Sequence, residues 1–153
     1  MLGTTDSHVF PVSVEWFGGR LTRARTATGE MLELATAPEF DGGLEGFWTP
    51  EHLLVAAVES CFVLGLEQAC EARSLPLHDI RVSGSGHVGE RVDGKFGFQQ
   101  IELKLVVEAP SERLDELTRV VRHVERYCVV STALAVPVHY EVEVRASGLP
   151  VVS

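Results

Sequence analysis

Two hydrophobic periods alternate along this chain. Val12, Val14 and Trp16 alternate with Ser13 and Glu15, the two-residue period of a strand with one buried face. Gly18-Gly19 interrupts that run, and Arg20 to Thr28 alternates weakly as a second strand that ends at Gly29-Glu30. Met31 to Ala37 reads as a third, and three short strands divided by turn residues predict an antiparallel meander. A glycine-rich loop follows, from Pro38 to Trp48. Thr49 then has the chemistry of an N-cap, with Pro50 suited to the first helical position and Glu51 to the positive first turn. The helix is predicted to run to about Arg73, with Pro76 as its stop, a length of about 36 Å. Its middle is apolar nearly all round, the mark of a helix buried between layers.

The second half repeats the two periods. His78 to His87 is a strand candidate loosened by Gly84 and Gly86, and Asp93-Gly94 is a hairpin turn signal. Ile101, Leu103, Leu105 and Val107 alternate with Gln100, Glu102, Lys104 and Glu108, with Val106 as the one apolar residue on the outer face. Ser111 is placed to cap a second helix, on which Leu114, Leu117, Val120, Val121 and Val124 recur at helical spacing. It ends near Tyr127 or Cys128, Ser131 to Leu134 forms a short further turn of helix, and Pro137 closes it. Val138, Tyr140, Val142 and Val144 alternate with polar residues as a last strand. Three strands, a long helix, two or three strands, a helix and a strand make an α+β chain, not a doubly wound one. Residues 1–153 read as a single domain, with loose ends at 1–7 and 147–153.

Charge and cysteine usage narrow the partners. The net charge of −9 disfavours nucleic acid and anionic membranes, which attract cationic surfaces. No basic patch followed by an apolar run opens the chain, so no signal peptide is expected. The longest apolar stretch, Leu53 to Leu66, is broken by Glu59 and Ser60 and falls short of the roughly 20 residues of a membrane span. The spacing of Cys61, Cys70 and Cys128 has no metal-finger rhythm, and the histidines show no zinc pairing. The expectation is a cytoplasmic protein with reduced thiols and neither metal nor cofactor. A Cys-His hydrolase is poorly served. His52 lies too far along the helix from Cys61, and His123 is rotated by about 140° from Cys128.

Several residues fall in a recognisable order: Gly18-Gly19-Arg20, then Pro50-Glu51, then Cys61, then Cys128-Val129-Val130-Ser131-Thr132-Ala133. This plan resembles the OsmC/Ohr family, the osmotically inducible and organic hydroperoxide resistance proteins. The likeness runs from about Val12 to Val144, and its specific part is the Glu51-to-Cys61 segment. Around Cys128 the family pattern is similar to Cys-Pro-x-Ser-x-Ala. Here the Cys, Ser and Ala match and Val129 replaces the Pro. The resemblance implies an intertwined homodimer whose long central helices are held between antiparallel sheets built by both chains. It also implies a cofactor-free thiol peroxidase. Cys61 would attack an organic hydroperoxide and become a sulfenic acid, Cys128 would condense with it to a disulfide, and an external dithiol, of lipoyl type in the Ohr branch, would reduce that bond.

Physical reasoning adds a condition. A peroxidatic thiol must be a thiolate, and free cysteine ionises near pH 8.5. Cys61 lies about three turns into its helix, beyond the reach of the macrodipole, and burial alone raises a thiol pKa. A cation is required. Arg20 is the candidate, with Arg23 in reserve, and Glu51 would orient the guanidinium by a bidentate pair. Glu51 and Cys61 are about 15 Å apart along the helix, so a shared site calls for a bend in the chain or, the favoured reading, a glutamate from a partner subunit. Trp16, Phe47, Trp48 and Phe62 are candidate walls of an apolar peroxide pocket.

Plainer readings stand beside these. Cys61 also fits as a small buried hydrophobe, and Cys70, on the opposite helix face, as core or surface filler. Arg20 reads as a solvated strand arginine, Glu51 as an ordinary first-turn carboxylate, and Glu59 points away from Cys61. The competing function is a stress-associated dimer of the same family that binds an apolar ligand without turnover.

Overall fold

The computed structural model describes residues 7–148. The loose ends expected at 1–7 and 147–153 fall almost wholly outside this range. Of the described end residues, Ser147 is held by its amide (2.9 Å) and its hydroxyl (3.2 Å) to the Ala109 carbonyl. The chain divides into two compact units, Met1–Leu53 and Leu54–Ser153, the division falling at the first turn of the long helix.

The first unit is the predicted meander. Strands β1 (Val12–Gly18), β2 (Leu21–Thr26) and β3 (Met31–Ala35) form one antiparallel sheet in sequence order. Gly18 and Gly19 both have positive φ, which the tight β1–β2 turn requires and which glycine adopts without strain. Val14 pairs with Ala24 and Ala24 with Leu32, while Trp16 pairs with Thr22 and Thr22 with Leu34. One face is therefore apolar, and along β1 it is open: Val12, Val14 and Trp16 are all exposed, Trp16 at 73%. Ion pairing occupies the other face, where Arg23 meets Glu33 at 2.8 Å and covers the Phe17 ring.

Helix α1 (Pro50–Glu71) starts as predicted. Thr49 is buried, its hydroxyl accepts the His52 amide (3.2 Å), and the same oxygen lies 3.0 Å from His52 Nδ1. The helix ends through Ser74 in a left-handed conformation, with the Leu75 amide on the Cys70 carbonyl. By length and apolarity α1 matches a membrane span. Val58, Phe62, Leu66 and Cys70 are nonetheless buried in the core of the second unit, so it is a core helix. Complete burial contributes roughly 1.5–3 kcal/mol for each large apolar side chain in that row. Only this row is covered. Ser60 and Leu64 lie open, so within one chain α1 is half buried and not enclosed between layers as the all-round apolar pattern predicts.

The second unit holds β4 (Asp79–Glu90), β5 (Phe96–Ala109), α2 (Leu114–Tyr127) and β6 (Val138–Ala146), in the strand order β4-β5-β6. The Asp93-Gly94 turn joins β4 to β5 as predicted, with the Gly94 amide on the Arg91 carbonyl. Two expectations are corrected. The sheet is mixed: β4 and β5 are antiparallel, but β6 runs parallel to β5, because α2 carries the chain back to the end where β5 began. Ser111 opens a separate 3-10 turn (Ser111–Arg113) and gives α2 no side-chain cap, its hydroxyl being bonded to Glu112. The core is otherwise as the pattern predicts. Ile101, Leu103, Leu105 and Val107 of β5 pack with Leu117, Val120, Val121 and Val124 of α2 and with the buried row of α1.

Gly84 and Gly86 do not loosen β4, which runs unbroken through both. They pair with Leu103 and Ile101 and make room for α1. A Cβ on Gly84 would lie 2.6 Å from Glu59 Oε1, and one on Gly86 would lie 2.9 Å from a Val55 methyl. Gly65 does the same between the helices, where an added Cβ would meet Val124 at 3.4 Å.

Candidate active site

Cys61 projects from the middle of α1, one residue before the fully buried Phe62, and is itself only partly buried. Cys128 is the residue at which α2 stops, with extended backbone angles (φ −61, ψ 118). The chain then doubles back. The Cys128 carbonyl accepts the Thr132 amide (3.0 Å), the Thr132 hydroxyl (2.8 Å) and the Ser131 hydroxyl (3.3 Å). This tight loop turns its amides toward sulfur. The Val130 and Val129 amides act on the Cys61 thiol, and the Ser131 side chain and amide, with the Val130 amide, act on the Cys128 thiol. The two thiols, both free, lie close enough to act on each other electrostatically. Residues far apart in sequence thus form one dithiol within the second unit.

The two sulfurs are tuned in opposite directions. Burial pushes the Cys61 thiol up; the Val130 amide offsets part of this, and Cys128 adds to the rise. Burial also acts against ionisation of Cys128, but the Ser131 hydroxyl and amide, the Cys61 thiol and the Val130 amide outweigh it, and its pKa is lowered. The largest influences on Cys61 are burial, the Val130 and Val129 amides and Cys128.

Replacement of the expected Pro by Val129 does not separate the thiols. A proline has no N–H to give, whereas the Val129 amide acts on Cys61.

Tyr140 completes the cluster. It is an inward residue of β6, its ring 5.2 Å from that of Phe62. Its hydroxyl is buried and makes no hydrogen bond of good geometry. Burial raises its pKa; the Ser131 hydroxyl beside it acts the other way, and Cys128, Glu125 and Cys61 are close enough to act on it electrostatically. Glu125, on the last turn of α2, is itself pushed up by burial. Tyr140 and Glu125 gave no signal in the sequence, because an inward tyrosine on an alternating strand looks like any core residue. Ser131 was visible only as a match to the family pattern.

Arg20 and Glu51 meet in the first unit. Both line a cavity of about 310 Å³ together with Trp16, Thr22 and Phe40. The Arg20 guanidinium lies over Gly42, where a Cβ would come within 2.9 Å of Nε and where φ is +75. One Glu51 carboxylate oxygen is buried without a hydrogen-bond partner. The bidentate Glu51–Arg20 pair expected from the sequence is absent from the ion pairs of the described residues, since the guanidinium is seated on the 42–43 loop. Arg23, the reserve candidate, is occupied by Glu33 and Phe17. Of the proposed pocket walls, Trp16, Phe47 and Trp48 are exposed, but Phe62 is fully buried against Tyr140 and is core. Of the two places left open for Cys70, core and surface, it takes the core, its thiol raised by burial. Glu59 lies against Gly84, and burial alone raises its pKa.

A profile of OsmC-like proteins matches residues 42–143. The chain belongs to the OsmC-like family. Its relative YmaD of Bacillus subtilis, an uncharacterised protein, is 23% identical over 141 residues, covering 89% of this chain and 93% of that protein. Among solved structures, an OsmC-like protein of unknown function from Vibrio cholerae superposes with a TM-score of 0.80 at 17% identity, covering 90% of this chain and 100% of that one. An organic hydroperoxide resistance protein from Elizabethkingia anophelis gives 0.72 at 19% identity, over 94% and 99% of the two chains. The organic hydroperoxide resistance protein OhrB of Bacillus subtilis gives 0.63 at 21%, over 90% and 98%. At these identities the likeness establishes the OsmC-like α+β fold.

Proposed function

We propose that this OsmC-like protein is a cytoplasmic thiol peroxidase acting on organic hydroperoxides. The observation that carries the reading is the proximity of Cys61 and Cys128, two free thiols that act on each other inside one loop-and-helix site. The Cys61 sulfur attacks the peroxide, an alkoxide leaves, and Cys61 carries the oxygen as a sulfenic acid. Cys128, the more readily ionised thiol, is then in place to attack that sulfur and close a disulfide. An external dithiol returns both thiols.

Activation of Cys61 falls to Arg20, oriented by Glu51, both supplied by a second copy of the chain. Two features support a homodimer: the open apolar face of β1 and the open side of α1. Contiguous apolar surface of this kind marks an interaction site. In such a dimer the unpartnered Glu51 oxygen and the Arg20 fork find their place beside the partner's thiols. Exposed Trp16, Phe47 and Trp48 supply an apolar surface that favours bulky hydroperoxides. The test is consumption of cumene hydroperoxide with a dithiol such as dihydrolipoamide. Wild type turns over, Cys61→Ser is inactive, and equal rates for the two would refute the mechanism.

The raised pKa of Cys61 favours a second reading, an apolar-ligand-binding dimer with a quiet thiol. Mass spectrometry after mild peroxide treatment separates the two. A Cys61–Cys128 disulfide supports the peroxidase, whereas slow oxidation spread over all three cysteines supports the binding protein.

A further inference from the structure

The Tyr140 hydroxyl is the one buried side-chain polar atom near the dithiol that makes no hydrogen bond. Leaving a buried donor unsatisfied carries a penalty of about 1–3 kcal/mol, which a phenylalanine of the same shape would avoid. The surroundings narrow what the hydroxyl is for. The ring is fixed against Phe62, the neighbour of Cys61, and by its place on β6, opposite Leu103 of β5. The Ser131 hydroxyl stands beside it but outside hydrogen-bond geometry, with its own proton directed to the Cys128 carbonyl. Both thiols lie within electrostatic reach, and in the reduced state their sulfurs are only weak acceptors. Oxygen enters this cluster when the site is oxidised.

We propose that the Tyr140 hydroxyl is a catalytic acid, holding the oxygen of the Cys61 sulfenic acid and protonating it as the disulfide closes. This rests on the peroxidase reading and adds to it a residue for its second step. The balance is simple. The Cys128 thiolate supplies the electron pair of the new S–S bond, the Cys61 S–O bond breaks, and its pair leaves on oxygen. That oxygen takes the Tyr140 proton and departs as water, and the phenolate recovers a proton from solvent. The peroxide consumed in the first step is the oxidant. Burial keeps the phenol protonated above its ordinary range, so at neutral pH it acts as donor and not as base. The half-buried Glu125 carboxyl and the Cys61 and Cys128 thiols are the other titrating groups that face it.

The experiment uses intact protein, a single equivalent of cumene hydroperoxide and no reductant, for wild type and Tyr140→Phe. Peroxide loss reads the first step and disulfide formation the second. The expected result is unchanged peroxide loss with disulfide formation about 100-fold slower in Tyr140→Phe, the lower end of what a positioned acid contributes. The sulfenic acid should then persist long enough for dimedone to label Cys61. The pH profile adds a readout that a packing role would not move: wild-type disulfide formation should fall at alkaline pH as the phenol ionises, and the variant should lack that limb. Equal disulfide rates in the two proteins, with the same profile, overturn the role of Tyr140 and leave the peroxidase intact. A wild type that consumes no peroxide overturns the peroxidase reading itself. A thermal midpoint for Tyr140→Phe at or above that of wild type shows that the variant is folded. If it falls below, Tyr140→Trp and the wild-type pH profile decide: no alkaline limb in the wild type rejects the proposal.

Discussion

The two sheets of this protein carry the same sequence pattern and meet opposite fates. On β5, Ile101, Leu103 and Val107 are fully buried under α1 and α2. On β1, Val12, Val14 and Trp16 alternate just as regularly and stay open. Alternation therefore reports that a strand has an apolar face, and says nothing about which body covers it. A face that its own chain leaves open is the part of the fold that a second molecule must complete, and the proposed dimer is the claim that one does.

Substitutions on the two sides should separate accordingly. The largest effect belongs to the closed side: Phe62→Ala removes a fully buried ring from the contact with Tyr140 and should destabilise the protein by about 3–5 kcal/mol, measured by urea unfolding. An unchanged midpoint would mean that the second unit is not the stable core described. On the open side, Val14→Asp should leave the fold of a chain intact while the mass in light scattering falls from two chains to one. A wild type that is already monomeric would end the comparison and the composite site with it.

The smallest effects are electrostatic, and the two regions again differ in sign. Glu30 sits in the β2–β3 turn, where hydrogen bonds from Thr26 and Thr28 hold its carboxyl down to about 2. Its lowered pKa stabilises the fold above the ordinary carboxylate range, and this contribution is lost as pH falls toward 2. Glu59 is the reverse: burial raises its pKa, so the folded state holds its proton more tightly than the unfolded chain does. That contribution is present in acid and lost as pH rises through the folded value. NMR titration of the side-chain carboxyls should place the two on opposite sides of a free glutamate, and Glu59→Gln should raise the thermal midpoint at pH 8 but not at pH 4.

Much of the architecture was legible, because long periodic segments leave few choices. Thr49-Pro50-Glu51 marked the start of α1, β5 showed its buried face, and the apolar row of α2 was read residue by residue. What escaped has physical reasons. Periodicity carries no direction, so the parallel pairing of β6 with β5 could not be read from Val138, Tyr140, Val142 and Val144. A helix apolar all round has no readable face, which is why Phe62 looked as suitable for a pocket as for the core. Ser111 had the right chemistry for a cap but stands one turn too early. The site was half legible. Cys61 and Cys128 stood out as residues, and their contact depended on tertiary closure. The loop amides that serve both sulfurs belong to the backbone and leave no mark in side-chain identity.

The parallel pairing of β6 has one more consequence, for the order of events during synthesis. Cys128 lies in the crossover from β5 to β6, and Tyr140 lies on β6 itself. Pairing across a crossover must wait until the whole connection has been made, the slow kind of contact in folding. While the nascent chain lengthens, Cys61 has already left the ribosome and has no partner. The two thiols can meet only once α2 has been made, and Tyr140 joins them only when β6 docks on β5.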